Sequence, residues 1–90
     1  MTDDEMINAI VNAVAMGIGE SHEHIEITVN HTSRGYSAIL IVKENVERIC
    51  RGNATPEAAI RALYRKVRRG MKKRAASLKK AVATMPEIAP

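Results

Sequence analysis

Apolar residues near the start of the chain recur at helical spacing. Thr2, followed three residues later by Glu5, matches a capping box, in which the two residues satisfy each other's backbone N–H groups at a helix start. Glycines at positions 17 and 19 supply a stop signal. We therefore predict a first helix from Thr2 whose buried face is formed by Met6, Ile7, Ile10, Val11, Val14 and Ile18.

From residue 24 the hydrophobic period changes to two. Residues 25–30 alternate apolar and polar side chains, which predicts a half-exposed strand. Residues 36–42 are apolar on both faces and rich in β-branched side chains, as in a central strand. Residues 46–51 have the pattern of a third, shorter strand. The three strands predict an antiparallel meander.

A second helix is predicted after Thr55, because a threonine N-cap, a proline at the first helical position and Glu57 in the first turn are strong start signals. Its apolar stripe consists of Ile60, Leu63, Tyr64, Val67, Met71, Leu78 and Val82. A helix from Pro56 to Ala83 would be about 42 Å long, whereas strands of this length span only about 20–27 Å. We expect the helix to overhang the sheet, to break at Gly70 and fold back, or to meet a second molecule.

These elements predict an α+β fold of order αβββα. Both helices should pack on one face of the three-stranded antiparallel sheet, and the C-terminal helix should be long. Residues 1–83 form one predicted domain. Residues 84–90, which contain two prolines, are predicted to be a flexible C-terminal tail.

Charge is distributed very unevenly along the chain. The 90 residues carry a net charge of +4, with 46% hydrophobic and 27% charged residues, which is typical of a globular protein. Residues 1–30 contain six acids and no Lys or Arg, whereas residues 61–80 contain ten bases and no acid. Such a concentration of positive charge is evidence about what the protein binds, and not about how it folds.

Composition also excludes several classes of protein. No apolar run approaches the ~20 residues that a membrane span needs, and the acidic N-terminus is unlike a signal peptide. We therefore expect a cytoplasmic protein with no membrane association. The single Cys50 cannot form an internal disulfide, and it shares a predicted strand face with Val46, as a core residue would.

The second helix is the candidate site. Like charges three or four residues apart cost about 0.2–0.5 kcal/mol per pair, and here no acid compensates them. Phosphates of a nucleic acid would repay this cost by counterion release. Because Tyr36 is the one aromatic residue on a predicted strand, a duplex is favoured over stacked single-stranded bases. The predicted contacts are Arg61, Arg65, Arg68, Arg69, Lys72 and Lys73, with Arg34 in the hairpin loop as a second contact.

Other interpretations of these residues stay open. The basic helix face can simply be solvated, or it can dock on an acidic protein surface in a dimeric inhibitor or phage-like accessory factor that dimerises through the overhanging helix. His22 and His24 alternate as metal ligands can, although a zinc site needs three or four ligands. No nucleophile–base pair or glycine-rich phosphate loop is present, so we expect a non-enzymatic protein without a cofactor or metal.

The order of elements resembles the double-stranded-RNA-binding domain over residues 2–67. The resemblance is carried by the helix–strand order, His31 in the first loop, Tyr36 opening the second strand, and a helix after the turn at residues 52–54. In that family the first helix and the first loop contact minor grooves, and lysines at the start of the last helix contact phosphates. The resemblance therefore implies duplex RNA as the ligand. The chain lacks the family's loop Gly-Pro pair and has Thr-Pro-Glu-Ala-Ala at residues 55–59 where the family has lysines.

Overall fold

A computed structural model describes residues 1–73 and 78–88 of the chain. Its elements are α1 (Asp3–Ile18), one turn of 3-10 helix (His22–His24), β1 (Ile25–Thr32), β2 (Gly35–Val42), β3 (Asn45–Asn53), α2 (Pro56–Lys73) and α3 (Lys79–Ala83). This arrangement confirms the predicted α+β fold and the αβββα order.

The predicted start signals of both long helices form real caps. The Thr2 backbone N–H donates to Glu5 Oε1 at 2.9 Å, and the Glu5 N–H donates to Thr2 Oγ1 at 3.2 Å, which completes the capping box. Gly19 ends α1 in the left-handed conformation, with φ of 68°. At α2, the Ala58 N–H donates to Thr55 Oγ1 at 3.0 Å.

The sheet is an antiparallel meander in the order β1-β2-β3, so β2 is the central strand as predicted. Its helix-facing side includes Ala38 and Leu40 of β2, which are 0% and 3% exposed. The other side, which we call the open face, carries Ile39, Ile41 and Ile49 and lies outside the hydrophobic core. Both α1 and α2 pack against the helix-facing side.

One strand-face prediction was wrong. Val46 was expected on the same face as Cys50, but the register shifts so that Leu40 pairs with Arg48 and Ile41 with Val46. The extra residue on β3 is a β-bulge, which moves Val46 to the open face, where it is 61% exposed. Cys50 stays on the helix-facing side and packs against the core.

The hydrophobic core lies between the two long helices and the sheet. It contains no Phe or Trp, and its largest fully buried side chains are Tyr64, Met6, Ile10, Leu63 and Met85. Four of these five belong to α1 and α2, so most of each apolar stripe faces the sheet and the other helix. Ile18, which was predicted on the buried face of α1, is instead 52% exposed.

The predicted C-terminal helix corresponds to two described helices, α2 and α3. Helix α2 continues through Gly70 to Lys73, and its 18 residues span about 27 Å, which matches an eight-residue strand. The apolar stripe then continues in α3, which packs on α1 and α2: Ala81 is 1% exposed, and Leu78 lies beside Gly17. Residues 74–77, which the sequence placed inside the helix, lie outside the described residues.

The predicted domain boundary at Ala83 was too early. Met85 is fully buried in the core, and Ile88 packs against it. The Tyr64 hydroxyl donates to the Pro86 carbonyl at 2.5 Å. Residues 84–88, which we call the C-terminal segment, are therefore part of the packed domain. Residues 89–90 of the predicted flexible tail are not among the described residues.

Candidate functional site

The basic surface of the molecule is built on α2. Because Leu63, Tyr64 and Val67 face the core and are at most 4% exposed, the remaining faces of the helix turn toward solvent. These faces carry seven bases between Arg61 and Lys73, and the one acid of α2 is Glu57 in its first turn. The rigid packing of the stripe thus fixes the direction of the basic side chains.

Four of the predicted contact residues meet in one groove. It lies between α2 and the C-terminal segment, encloses about 410 Å³, and is lined by Tyr64, Arg65, Arg68, Arg69, Lys72, Glu87 and Ile88. We call it the cationic groove. Arg68 and Arg69 follow Arg65 by three and four residues and precede Lys72 by four and three, which places the bases on adjoining turns of the same helix. The groove is thus suited to an anion wider than a single carboxylate.

Arg68 is the most constrained base of the cationic groove. Its Nε donates to the Met85 carbonyl at 2.6 Å, and its Nη1 lies 3.5 Å from Glu87 Oε1. The side chain is only 20% exposed. Arg68 therefore anchors the C-terminal segment to α2 and contributes its remaining donors to the groove, whereas the sequence predicted only a phosphate contact.

The other predicted contacts on α2 differ in how they are engaged. Within the described part of the chain, Arg61, Arg69, Lys72 and Lys73 form no ion pair or side-chain hydrogen bond, and the last three are exposed. Arg65 is partly buried and makes a polar interaction. Arg69 and Lys72 are consequently the bases that line the cationic groove with all their donors available.

Helix α3 brings a further base to this surface that was not among the predicted contacts. Lys79 lines a second groove of about 440 Å³ between α2 and α3, together with Arg68 and Lys72. On a straight helix, Lys79 would lie about ten ångströms along the axis beyond Lys72 at ~1.5 Å per residue. Lys79 lies near Arg68 and Lys72 because α3 packs on α2, and the spacing of apolar residues along the chain does not predict that packing.

On another flank of α2, Lys66 lies over the edge of β3. The Lys66 ammonium donates to the Ile49 carbonyl at 2.9 Å. Burial raises the pKa of the Cys50 thiol, while Lys66 and Arg69 act in the opposite direction. Cys50 is thus held as a neutral thiol beneath the helix, which fits a packing role.

Arg34 is not brought next to the other predicted contacts. It lies in the β1–β2 turn, exposed, and lines a groove on the open face with Arg51, Ile39 and Ile49. Helix α2 packs on the other side of the sheet. Among the described residues, Arg34 and Arg51 therefore form a smaller basic surface that is separate from the cationic groove.

The two histidines considered as metal ligands point to different partners. His22 Nε2 lies 2.7 Å from Asn12 Oδ1, and His24 Nδ1 lies 2.6 Å from Glu20 Oε1. Hydrogen bonds from His24 and Lys43 lower the pKa of Glu20 to about 2. Among the described residues, no group of three or more His, Cys, Asp or Glu side chains could hold a metal ion.

Neither tyrosine presents an exposed ring in the cationic groove. Tyr64 is fully buried, with burial raising the pKa of its hydroxyl. Tyr36 stacks on the exposed ring of His31, with ring centroids 4.2 Å apart and an interplanar angle of 7°. No described helix is both long and apolar enough to cross a membrane.

No protein-family model matches the chain, and neither a curated protein nor a solved structure is significantly similar to it.

Proposed function

We propose that this chain is a small, non-enzymatic cytoplasmic protein that binds the phosphate backbone of nucleic acid through α2. The observation that carries the proposal is the cationic groove, where Arg69 and Lys72 lie beside Arg65 and Arg68. Arg69 and Lys72 have no ion pair or side-chain hydrogen bond within the described part of the chain. Arg34 on the β1–β2 turn is the second proposed contact. Phosphate contacts of this kind supply affinity and orientation without reading sequence.

The length of the basic surface suits several phosphates at once. From Arg61 to Lys72 the helix rises about 16 Å at ~1.5 Å per residue. This equals the axial rise of about five nucleotides of one strand at ~3.4 Å each. Release of the counterions condensed on these phosphates supplies the free energy that offsets the repulsion among the bases.

A duplex is the proposed form of the ligand. Proteins that bind single strands without sequence preference stack bases on exposed aromatic side chains. Here Tyr64 is buried and Tyr36 is already stacked on His31, so the basic surface of α2 offers no aromatic platform among the described residues. The resemblance to the double-stranded-RNA-binding domain agrees with a duplex ligand.

A second candidate is a protein-interaction module that docks on an acidic surface. The observation that favours it is Glu87, whose carboxylate lies 3.5 Å from Arg68 inside the cationic groove. The groove therefore accepts a carboxylate of this chain, and an acidic side chain of a partner presents the same group. The two candidates differ in how affinity depends on salt and on the spacing of charges.

Charge-matched variants test the proposal. We expect the double variant Arg69→Gln, Lys72→Gln to weaken binding to a fluorescently labelled duplex and to reduce the log–log salt slope by about 2, roughly one per lost phosphate contact. The control is the double variant Lys43→Gln, Arg48→Gln, which lowers the net charge equally but lies outside α2, outside the cationic groove and away from Arg34. Equal losses from both variants would show that only net charge matters and would overturn the assignment of α2.

A further inference from the structure

The two edge strands of the sheet differ in whether side chains bond to their outward-facing backbone groups. On β3, basic side chains bond to two backbone carbonyls. The Glu47 carbonyl accepts a hydrogen bond from Arg48 Nη1 at 2.7 Å, and the Ile49 carbonyl accepts one from Lys66 Nζ at 2.9 Å. An exposed row of backbone groups is a template for another strand, and basic side chains at the edge discourage such pairing. On β3 two cations occupy the carbonyls that an added strand would use.

The edge of β1 carries no such protection. The Lys43 N–H donates to the His24 carbonyl at 2.9 Å, so His24 bonds toward β2. In an antiparallel ladder, residues whose backbone groups bond to the neighbouring strand alternate with residues whose backbone groups point away from it. The backbone groups of Ile27, Val29 and His31 therefore point away from β2. Among the described residues no side chain bonds to them. Residues 25–32 contain no Lys, Arg or Pro.

The helical layer also stops short of this edge. Ile27 and Val29 lie on the helix-facing side but are only partly buried, whereas Ala38 and Leu40 on the central strand are almost fully buried. An apolar strip therefore runs along the same edge as the unpaired backbone groups. A strand added there would satisfy the backbone and cover the strip together.

We propose that β1 pairs antiparallel with β1 of a second copy, forming a symmetric dimer with a continuous six-stranded sheet. A twofold axis at Thr28 pairs odd-numbered residues of one β1 with odd-numbered residues of the other, and even-numbered with even-numbered. Because the odd-numbered side chains of β1 lie on the helix-facing side, both helical layers stay on the same face of the joined sheet. It places Ile27 opposite Val29 of the second copy and Glu26 opposite Asn30, so no like charges meet. The Ile25 N–H already donates to His22, which leaves about six backbone hydrogen bonds across the interface.

The positive charge of the chain does not oppose this dimer. Helix α2 packs mainly on β2 and β3, so the two basic surfaces lie at the far ends of the joined sheet. Their separation is about four strand spacings, or ~19 Å, which exceeds the Debye length of about 10 Å at 0.1 M salt. The only formal charge within β1 is that of Glu26. The dimer therefore requires no bound nucleic acid.

Sedimentation equilibrium on the full chain, without nucleic acid, tests the dimer. We expect the mass of two copies at high concentration and dissociation on dilution. Val29→Pro removes a backbone N–H that faces away from β2, and we expect it to raise the dissociation constant at least about tenfold. Thr28→Lys, which leaves the backbone intact and places two lysines across the axis, should also weaken the dimer.

The matched control is Ile49→Pro, because the Ile49 backbone faces outward on the β3 edge in the same way. Circular dichroism checks that each variant is folded, and we expect Ile49→Pro to remain dimeric. Thr28→Lys serves in place of Val29→Pro should the latter unfold. A wild-type chain that stays monomeric at every concentration up to the millimolar range would overturn the proposal. So would a folded Thr28→Lys variant that dimerises as tightly as the wild type.

Discussion

Met85 provides a sharp test of the packing of the C-terminal segment. Its side chain is 0% exposed and belongs to the hydrophobic core. Truncating a buried methionine to alanine removes its transfer free energy and leaves a cavity, at a cost of about 2–5 kcal/mol. A domain of this length has a total stability of only about 5–14 kcal/mol, so Met85→Ala should remove a large part of it.

Urea and thermal denaturation measure this effect directly. With a denaturant slope of about 1 kcal/mol per molar, a loss of 2 kcal/mol moves the urea midpoint down by about 2 M. The same loss lowers the melting temperature by at least about 8 °C in a domain of this size. Both probes should report the same change because a small domain unfolds in one cooperative transition.

Met16→Ala is the matched control for this experiment. It removes the same atoms from a side chain that is 53% exposed on α1, so we expect a change within about 0.5 kcal/mol. The reasoning would be refuted if Met85→Ala were as stable as Met16→Ala. In that event residues 84–88 would not be packed, and the wall that they give to the cationic groove would be lost.

Two further predictions concern a surface ion pair and a tight turn. Because His24 and Lys43 lower the pKa of Glu20 from 4.5 to about 2, its contribution to stability is present above pH 4.5 and is lost as pH falls toward 2. In urea titrations, the difference between wild type and Glu20→Gln should vanish over that range, and a difference independent of pH would contradict the assignment. Gly35 has φ of 113°, and an added Cβ would lie 2.6 Å from the Asn53 carbonyl oxygen, so Gly35→Ala should lower stability by about 2 kcal/mol or more. An unchanged melting curve would show that this turn is not strained.

Local signals in the sequence predicted most of the fold. The capping box at Thr2 and the Thr55-Pro56 start depend on residues three or four positions apart, and both caps form as expected. The alternation of apolar and polar residues in β1 and the apolar residues on both faces of β2 identified the edge strand and the central strand, because these patterns also depend on residues close together in the sequence. The bulge that turns Val46 to the open face could not be predicted, because it depends on pairing with β2 rather than on the period of β3.

The C-terminal third shows where local signals fail. The apolar stripe of α2 and α3 keeps the same helical phase whether the chain continues straight or packs back on itself, so the sequence left both outcomes open. Met85 stands alone between a threonine and a proline and forms no periodic pattern. Its burial follows from contacts with residues about 17 positions away, such as the bond from Arg68 to its carbonyl.

The same distinction applies to the candidate site. Composition and helical spacing identified the bases, and the structure brings Arg65, Arg68, Arg69 and Lys72 into one groove. The sequence could not predict that Arg68 anchors the C-terminal segment, because its acceptor is a backbone carbonyl. Nor could it predict that Arg34 lies apart from α2, since that follows from the side of the sheet on which each element packs.

The central claim is that α2 binds the phosphate backbone of a duplex, and the salt dependence of binding tests it most directly. Affinity of the wild-type chain for duplex RNA, duplex DNA and a single strand is measured by fluorescence anisotropy between about 50 and 200 mM salt. With five to seven phosphates neutralised on a duplex, we predict a log–log slope of about −4 to −6 and tighter binding to a duplex than to a single strand. Absence of duplex binding at the lowest salt concentration, or a slope near zero, would contradict the claim.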